Sequence, residues 1–228
     1  MVIILDAVRW DVAIEYLWPA VCGKLIRVRT PIDWTLAFYE MAKPWIESFP
    51  GTVSLMTCGW GQKAEVKCDR GPWGHMFPLR DNLYEIIREL IKLSRTDGNS
   101  LLVVHDFFIH NYFDDIGGLK SLTPANQNQA WGAYLYRVES ILPSIVEAIK
   151  AGQTHGFEVF LTADHGEAFW EKGSQCHHGN CCRDADGISA KEVQDIFLLK
   201  VGEEFTGIKA DPQDARIIQK SLFEGGPI

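Results

Sequence analysis

The sequence predicts an α/β fold, a mostly parallel sheet with helices on both of its faces. Three observations predict it. Short apolar runs at Val2-Ile3-Ile4-Leu5, Leu101-Leu102-Val103-Val104 and Val159-Phe160-Leu161 have the near-continuous hydrophobicity of strands buried on both sides. Longer stretches with apolar residues at helical spacing alternate with them. The apolar runs end in carboxylates, Asp6, Asp106 and Asp164, and open parallel sheets carry their ligand sites beyond the strand C-termini.

Taken in order, the elements follow from local chemistry. Val2 to Asp6 is the first strand, Asp11 to Ala20 a short helix and Lys24 to Val28 a second strand. Trp34 to Met41 has helical character that Pro44 ends. Ser48-Phe49-Pro50 leads into Thr52-Val53-Ser54-Leu55-Met56-Thr57, read as a strand-to-helix turn with the helix beginning near Thr52. The stretch from Gly59 to Pro78 is rich in Gly, Trp and Pro and reads as a loop whose aromatics pack it onto the body. Leu79 to Leu93 is the clearest helix, with Leu83, Ile86, Ile87, Leu90 and Ile91 forming one stripe between Pro78 and Gly98. Leu101 to Asp106 is a strand. Gln127 to Lys150 is a helix with Val138, Ile141, Leu142, Ile145, Val146 and Ile149 on one face, and Pro143 kinks it or marks its first turn. Phe197 to Val201 is the last strand and Pro212 to Phe223 the last helix.

The composition suits one soluble enzyme domain spanning residues 1–228, with 46% hydrophobic and 23% charged residues. A net charge of −8 argues against a nucleic-acid partner. No apolar run approaches the ~18 residues that span a bilayer. Nor does the N-terminus show a basic region followed by a signal-type apolar stretch, so the expected location is cytoplasmic. Cys176, Cys181 and Cys182 crowd around His177 and His178, but their spacing fits no standard zinc finger and reads as a loop of reduced cysteines.

The densest chemical signal is Thr162-Ala163-Asp164-His165-Gly166-Glu167. Asp and neutral His offer oxygen and nitrogen to a borderline divalent ion such as zinc or manganese, and Gly166 permits a sharp turn beside them. Asp6 ends the first strand and reads as a ligand in preference to a turn cap. Asp106 is followed four residues later by His110, and His177-His178-Gly179 lies further on. His105 reads as a core histidine outside the site. Arg9 reads as the ion-pair partner of Asp11.

The order of these motifs resembles the alkaline phosphatase and sulfatase superfamily of metal-dependent hydrolases, over residues 2 to about 201. Asp6-x-x-Arg9-x-Asp11 is similar to the opening motif of that family, and Asp164-His165-Gly166-Glu167 to the sulfatase-type form of its second metal motif. Ser48-x-Pro50 with Thr57 nine residues on is similar to its nucleophile turn, although Cys58 stands where the family usually has Gly. The resemblance implies an alkaline phosphatase-like sandwich and one metal site at Asp6, Ser48, Asp164 and His165. It makes Ser48 the nucleophile, with Thr52 the other candidate. In two-metal members a second site takes the equivalents of Asp106, His110 and His178; in one-metal members the histidines bind ester oxygens instead. Both uses remain open, as do zinc or manganese against calcium or magnesium.

The resemblance therefore implies hydrolysis of a small phosphate or sulfate ester through a covalent Ser48 intermediate. Thr52 stands where sulfatases that oxidise their nucleophile have Arg, which favours an unmodified serine and phosphate esters. The alternatives are a phosphotransferase or mutase of the same superfamily, a non-catalytic metal-binding module, and a zinc-stabilised interaction protein built around Cys176 to Cys182.

Overall fold

The structure, a computed structural model, describes residues 1–30, 42, 44, 48–58, 87, 88, 91, 100–118, 123–169 and 191–202. Six strands form one mixed sheet in the order β2-β6-β5-β1-β4-β3. They are β1 (Val2–Leu5), β2 (Gly23–Arg29), β3 (Thr52–Cys58), β4 (Ser100–Asp106), β5 (Phe160–Thr162) and β6 (Asp195–Val201). The four strands β5, β1, β4 and β3 run parallel. Strand β6 is antiparallel to β5 and to β2, so the last strand reverses direction at one side of the sheet. A short helix, α4 (Lys191–Gln194), leads directly into β6.

The large core lies on one face. Ile3, Leu5, Leu102, Val104, Leu161, Phe197 and Leu199 of the sheet pack against the apolar side of a long helix, α3 (Gln127–Thr154). Ala130, Tyr134, Val138, Ile141, Ile145, Ala148 and Ile149 form that side. Each such side chain removed from water contributes on the order of 1.5–3 kcal/mol. Pro143 lies within a continuous helix instead of breaking it, on the exposed side where water can serve the carbonyl it cannot bond. Between β1 and β2, α1 (Trp10–Val12), a π-helical stretch Ala13–Leu17 and α2 (Trp18–Val21) bury Val12, Leu17 and Val21 on the same face. The π stretch precedes Pro19, which has no N–H to continue a regular ladder. On the opposite face Ile4, Leu101 and Val103 form a smaller cluster with Val2, Ala42 and Phe49.

The segment after Ser48 corrects the sequence reading. Thr52–Cys58 is a strand, not the start of a helix, and it pairs with the whole of β4 from Thr52 beside Ser100 to Cys58 beside Asp106. Thr and Val at its start and alternation along Thr-Val-Ser-Leu favour the pleated conformation. The helices expected at 34–41 and 212–223 lie outside the described residues. Of the helix expected at 79–93, residues 87, 88 and 91 are helical, with Ile87 and Ile91 buried in the large core.

Candidate metal centre

The parallel strands deliver their C-terminal residues to one edge. The ladder between β1 and β4 continues one residue past β1, where the Asp6 N–H donates to the Asp106 carbonyl at 2.9 Å. The chain then turns through Ala7, whose φ of 61° is left-handed, a conformation that strains any residue but glycine. Two contacts hold that turn. The Tyr134 hydroxyl, fully buried on α3, donates to the Ala7 carbonyl at 3.0 Å and accepts from the Arg9 N–H at 3.2 Å. The Ala7 N–H donates to Asp164 Oδ1 at 3.3 Å. The turn that carries Asp6 thus ties the end of β1 to the end of β5.

Asp6, Asp164 and His165 are almost completely buried, and each offers one ligand atom within 4.8 Å of the others. His165 Nε2 is 3.5 Å from Asp164 Oδ2 and 3.9 Å from Asp6 Oδ1. Two donors that each stand about 2.1 Å from an ion lie at most about 4.2 Å apart, so these separations suit a shared divalent cation. His165 Nδ1 is 2.8 Å from its neighbour's carbonyl at Gly166, an arrangement that puts the proton on Nδ1 and leaves Nε2 as the ligand atom. The His165 N–H donates to Asp164 Oδ1 at 2.9 Å. Asp164 is therefore held through Oδ1 and presents Oδ2.

Electrostatics match the geometry. Burial disfavours the Asp6 carboxylate, yet His110, His105 and His165 together hold its pKa below the usual range. Burial lowers the basicity of His165, but Asp164 and Asp6 outweigh it and raise the pKa. Burial pushes Glu167 up to about 8, against the opposing influence of His110 and His165. Two buried carboxylates side by side call for positive charge, and oxygen plus imidazole donors fit zinc or manganese.

Gly166 has a different task from the one its position beside a ligand implies. A Cβ there would lie 1.9 Å from the Glu192 carbonyl oxygen, and the Gly166 N–H donates to the Val193 carbonyl at 2.7 Å. Glycine at this point lets α4 pass directly behind the Asp164-His165 pair.

The other expected site residues fare differently. His110 is buried at the start of a 3-10 turn, His110–Ile116, with its ring edge-on to Phe113 at 5.4 Å, and it is one of the groups that lower the pKa of both Asp6 and Glu167. Asp106 is a correction. Alternation along β4 sends it to the face of Leu102 and Val104, where its Oδ1 accepts the Phe108 N–H at 2.8 Å and caps the following turn. Its neighbour His105 is the residue that reaches the centre, with Nε2 3.2 Å from Asp6 Oδ2 and 3.7 Å from Asp164 Oδ2. The signal that identifies His105 is its parity with Leu101 and Val103, which it shares with Ile4 of β1. Ser48 is a second correction. It precedes β3 at the N-terminal edge of the sheet, is exposed, and its N–H donates to the Pro44 carbonyl at 3.1 Å. Seven strand residues, about 20 Å, separate that edge from the carboxylates. Thr52 starts β3 at the same wrong edge. His178 and the cysteine-rich segment around it lie outside the described residues. Arg9 does pair with Asp11, through contacts of 2.9 and 2.7 Å, and stacks on Trp131 at 5.0 Å.

No protein-family model matches the chain, and no curated protein matches it. Solved structures do. The C-terminal periplasmic domain of EcEptC from Escherichia coli aligns with a TM-score of 0.55 and 12% identity over 89% of this chain and 72% of that one. A zinc complex of the same domain aligns at 0.53, also with 12% identity and the same coverage of both chains. The corresponding domain of the phosphoethanolamine transferase EptC from Campylobacter jejuni aligns at 0.51 with 12% identity over 98% of this chain and 88% of that one. These domains are periplasmic, which corrects the expectation of a cytoplasmic protein. Among the described residues no helix is long and apolar enough to cross a membrane. The chain shares the α/β fold of these periplasmic domains.

Proposed function

We propose that this chain is a metal-dependent enzyme that transfers a phosphate-ester group, of the phosphoethanolamine type, from a donor ester to an acceptor hydroxyl in an extracytoplasmic compartment. The observation that carries the reading is the buried cluster of Asp6, Asp164 and His165 at the C-terminal edge of the sheet. Support comes from the fold shared with phosphoethanolamine transferase domains and from the zinc bound by one of them. That likeness is the reason for reading transfer ahead of the hydrolysis that the motifs imply.

In this reading Asp6 Oδ1, Asp164 Oδ2 and His165 Nε2 hold one divalent ion. The ion, when bound, offsets the negative oxygens of the ester and lowers the pKa of a hydroxyl beside it. The protein's own contribution is preorganisation. The Ala7 and His165 N–H groups fix Asp164, the Gly166 carbonyl fixes the His165 tautomer, and Tyr134 fixes the turn behind Asp6. The role we assign to His110, buried in the turn that follows β4, is to bind an ester oxygen or move a proton to a leaving oxygen.

The test is product analysis. Zinc- and manganese-loaded protein should act on aryl phosphate mono- and diesters and leave aryl sulfates intact. Added primary alcohol should divert product from free phosphate to the alcohol ester. Activity on the sulfate alone, or product unchanged by alcohol, would overturn the substrate class or the transfer reading respectively.

A further inference from the structure

His105, near the end of β4, brings its Nε2 within 3.2 Å of Asp6 Oδ2 and 3.7 Å of Asp164 Oδ2. Its backbone is fixed by register, opposite Ile4 in the ladder between β1 and β4. Its ring is fixed by stacking on Phe107, with centroids 4.3 Å apart and planes 23° from parallel. It is completely buried, and its Nε2 faces Asp6 Oδ2 at 3.2 Å. The two oxygens of Asp6 thus face two different histidines, Oδ1 towards His165 and Oδ2 towards His105. Asp164 is held differently: its Oδ1 accepts from two backbone N–H groups, and its Oδ2 lies 3.5 Å from His165 Nε2 and 3.7 Å from His105 Nε2. His105 stands outside the group of three side chains whose ligand atoms converge.

We propose that His105 is the positioning residue of the metal centre: its Nε2, 3.2 Å from Asp6 Oδ2 in this structure, takes up a hydrogen bond to that oxygen when an ion is held and turns Oδ1 towards the point shared by Asp164 Oδ2 and His165 Nε2. The proposal rests on the metal reading above and deepens it. A carboxylate ligand without an outer hydrogen bond is free to rotate about its terminal bond, and losing such a partner typically weakens metal binding 10–100-fold. The role is orientation, so the number of ions bound is independent of it.

The experiment compares the 228-residue chain with Asp164→Ala, His105→Gln and His105→Leu. Gln and Leu are similar in size, but only Gln keeps an N–H donor. Zinc is titrated against a chelating dye, cobalt(II) spectra report the ligand set, and circular dichroism reports the fold. Wild type should bind one ion and Asp164→Ala none. His105→Leu should bind one ion 10–100-fold more weakly with unchanged cobalt bands. His105→Gln should fall between them. Wild-type affinity in His105→Leu overturns the proposal, and so does a cobalt spectrum showing a lost ligand or saturation below one ion. Should His105→Leu not fold, His105→Gln decides: affinity within tenfold of wild type supports donation, and a larger loss or a changed spectrum overturns it. If wild type binds no more zinc than Asp164→Ala, the metal reading itself fails and the role of His105 falls with it.

Discussion

The two edges of the parallel strands are built on opposite principles. At the C-terminal edge, Asp6, Asp164 and His165 are buried, and every backbone turn around them is tied to another element: Ala7 to α3 and β5, Gly166 to α4. At the N-terminal edge, Ser48 is exposed and its neighbour Phe49 rests on Ile4, Leu101 and Val103. Burying charge requires partners from several directions, because an unpaired buried charge costs several kcal/mol. An edge closed by an apolar cluster needs no such convergence. The difference shows where chemistry can be held rigidly in this fold, and it can be broken experimentally from either side.

The largest effect belongs to Asp164→Ala. It removes one ligand and the acceptor of two backbone N–H groups, so bound metal should vanish and turnover should fall by about 10³-fold or more. Asp106→Asn is the matched control. Asp106 ends the adjacent strand but faces the α3 side, so metal content should remain at wild-type level while stability falls by about 1 kcal/mol with the weakened Phe108 cap. Elemental analysis of the two variants side by side checks both. Equal loss of metal would return Asp106 to the ligand set.

Next is Gly166→Ala. The added methyl meets the Glu192 carbonyl, which is backbone and cannot swing aside, so α4 must move. A loss of about 3 kcal/mol is expected, seen as a melting temperature lower by about 6–12 °C. A melting temperature within 2 °C of wild type would show that α4 does not press on this turn. Tyr134→Phe should cost less, about 1–3 kcal/mol, because two buried backbone groups lose the same hydroxyl. Its zinc affinity should also fall, since the left-handed Ala7 turn loses its clasp. A loss of stability with unchanged zinc affinity would separate the turn from the centre.

Much of this was legible in the residues because both signals, apolar runs and terminal carboxylates, are local. Val2 to Asp6 and Val159 to His165 each end a buried strand with a candidate ligand, and the structure brings the two ends together. What local reading missed was parity. In β4 the informative residue is His105, one position before the terminal carboxylate, and which of two adjacent residues faces Asp6 depends on register with β1. Register is a long-range property. The same holds for Thr52–Cys58, where the serine-proline pattern implies a helix and pairing with β4 makes a strand. The direction of β6 is likewise a matter of pairing: antiparallel to β5 and to β2, it is set by neighbours far away in the chain and not by its own apolar run.

The smallest effect is expected from Ser48→Ala, and it is the most discriminating. The motif order makes Ser48 the nucleophile. The pairing of β3 with β4 puts it four residues before a strand whose far end, not its near end, lies beside Asp106. An exposed serine in a turn, whose backbone N–H is already bonded to Pro44, contributes little to stability, so the change should stay within about 0.5 kcal/mol. Turnover should stay within about twofold, because a hydroxyl roughly 20 Å from the carboxylates cannot reach an ester bound there. Steady-state rates on an aryl phosphate, with Asp164→Ala as the inactive reference, decide the matter. A fall of several orders of magnitude in Ser48→Ala, with metal content and fold intact, would mean that residues 48–58 leave the register with β4 when the enzyme works. The contrast between the two edges would then describe a resting arrangement, and the strand pairing of β3 would be the element that has to give way for chemistry.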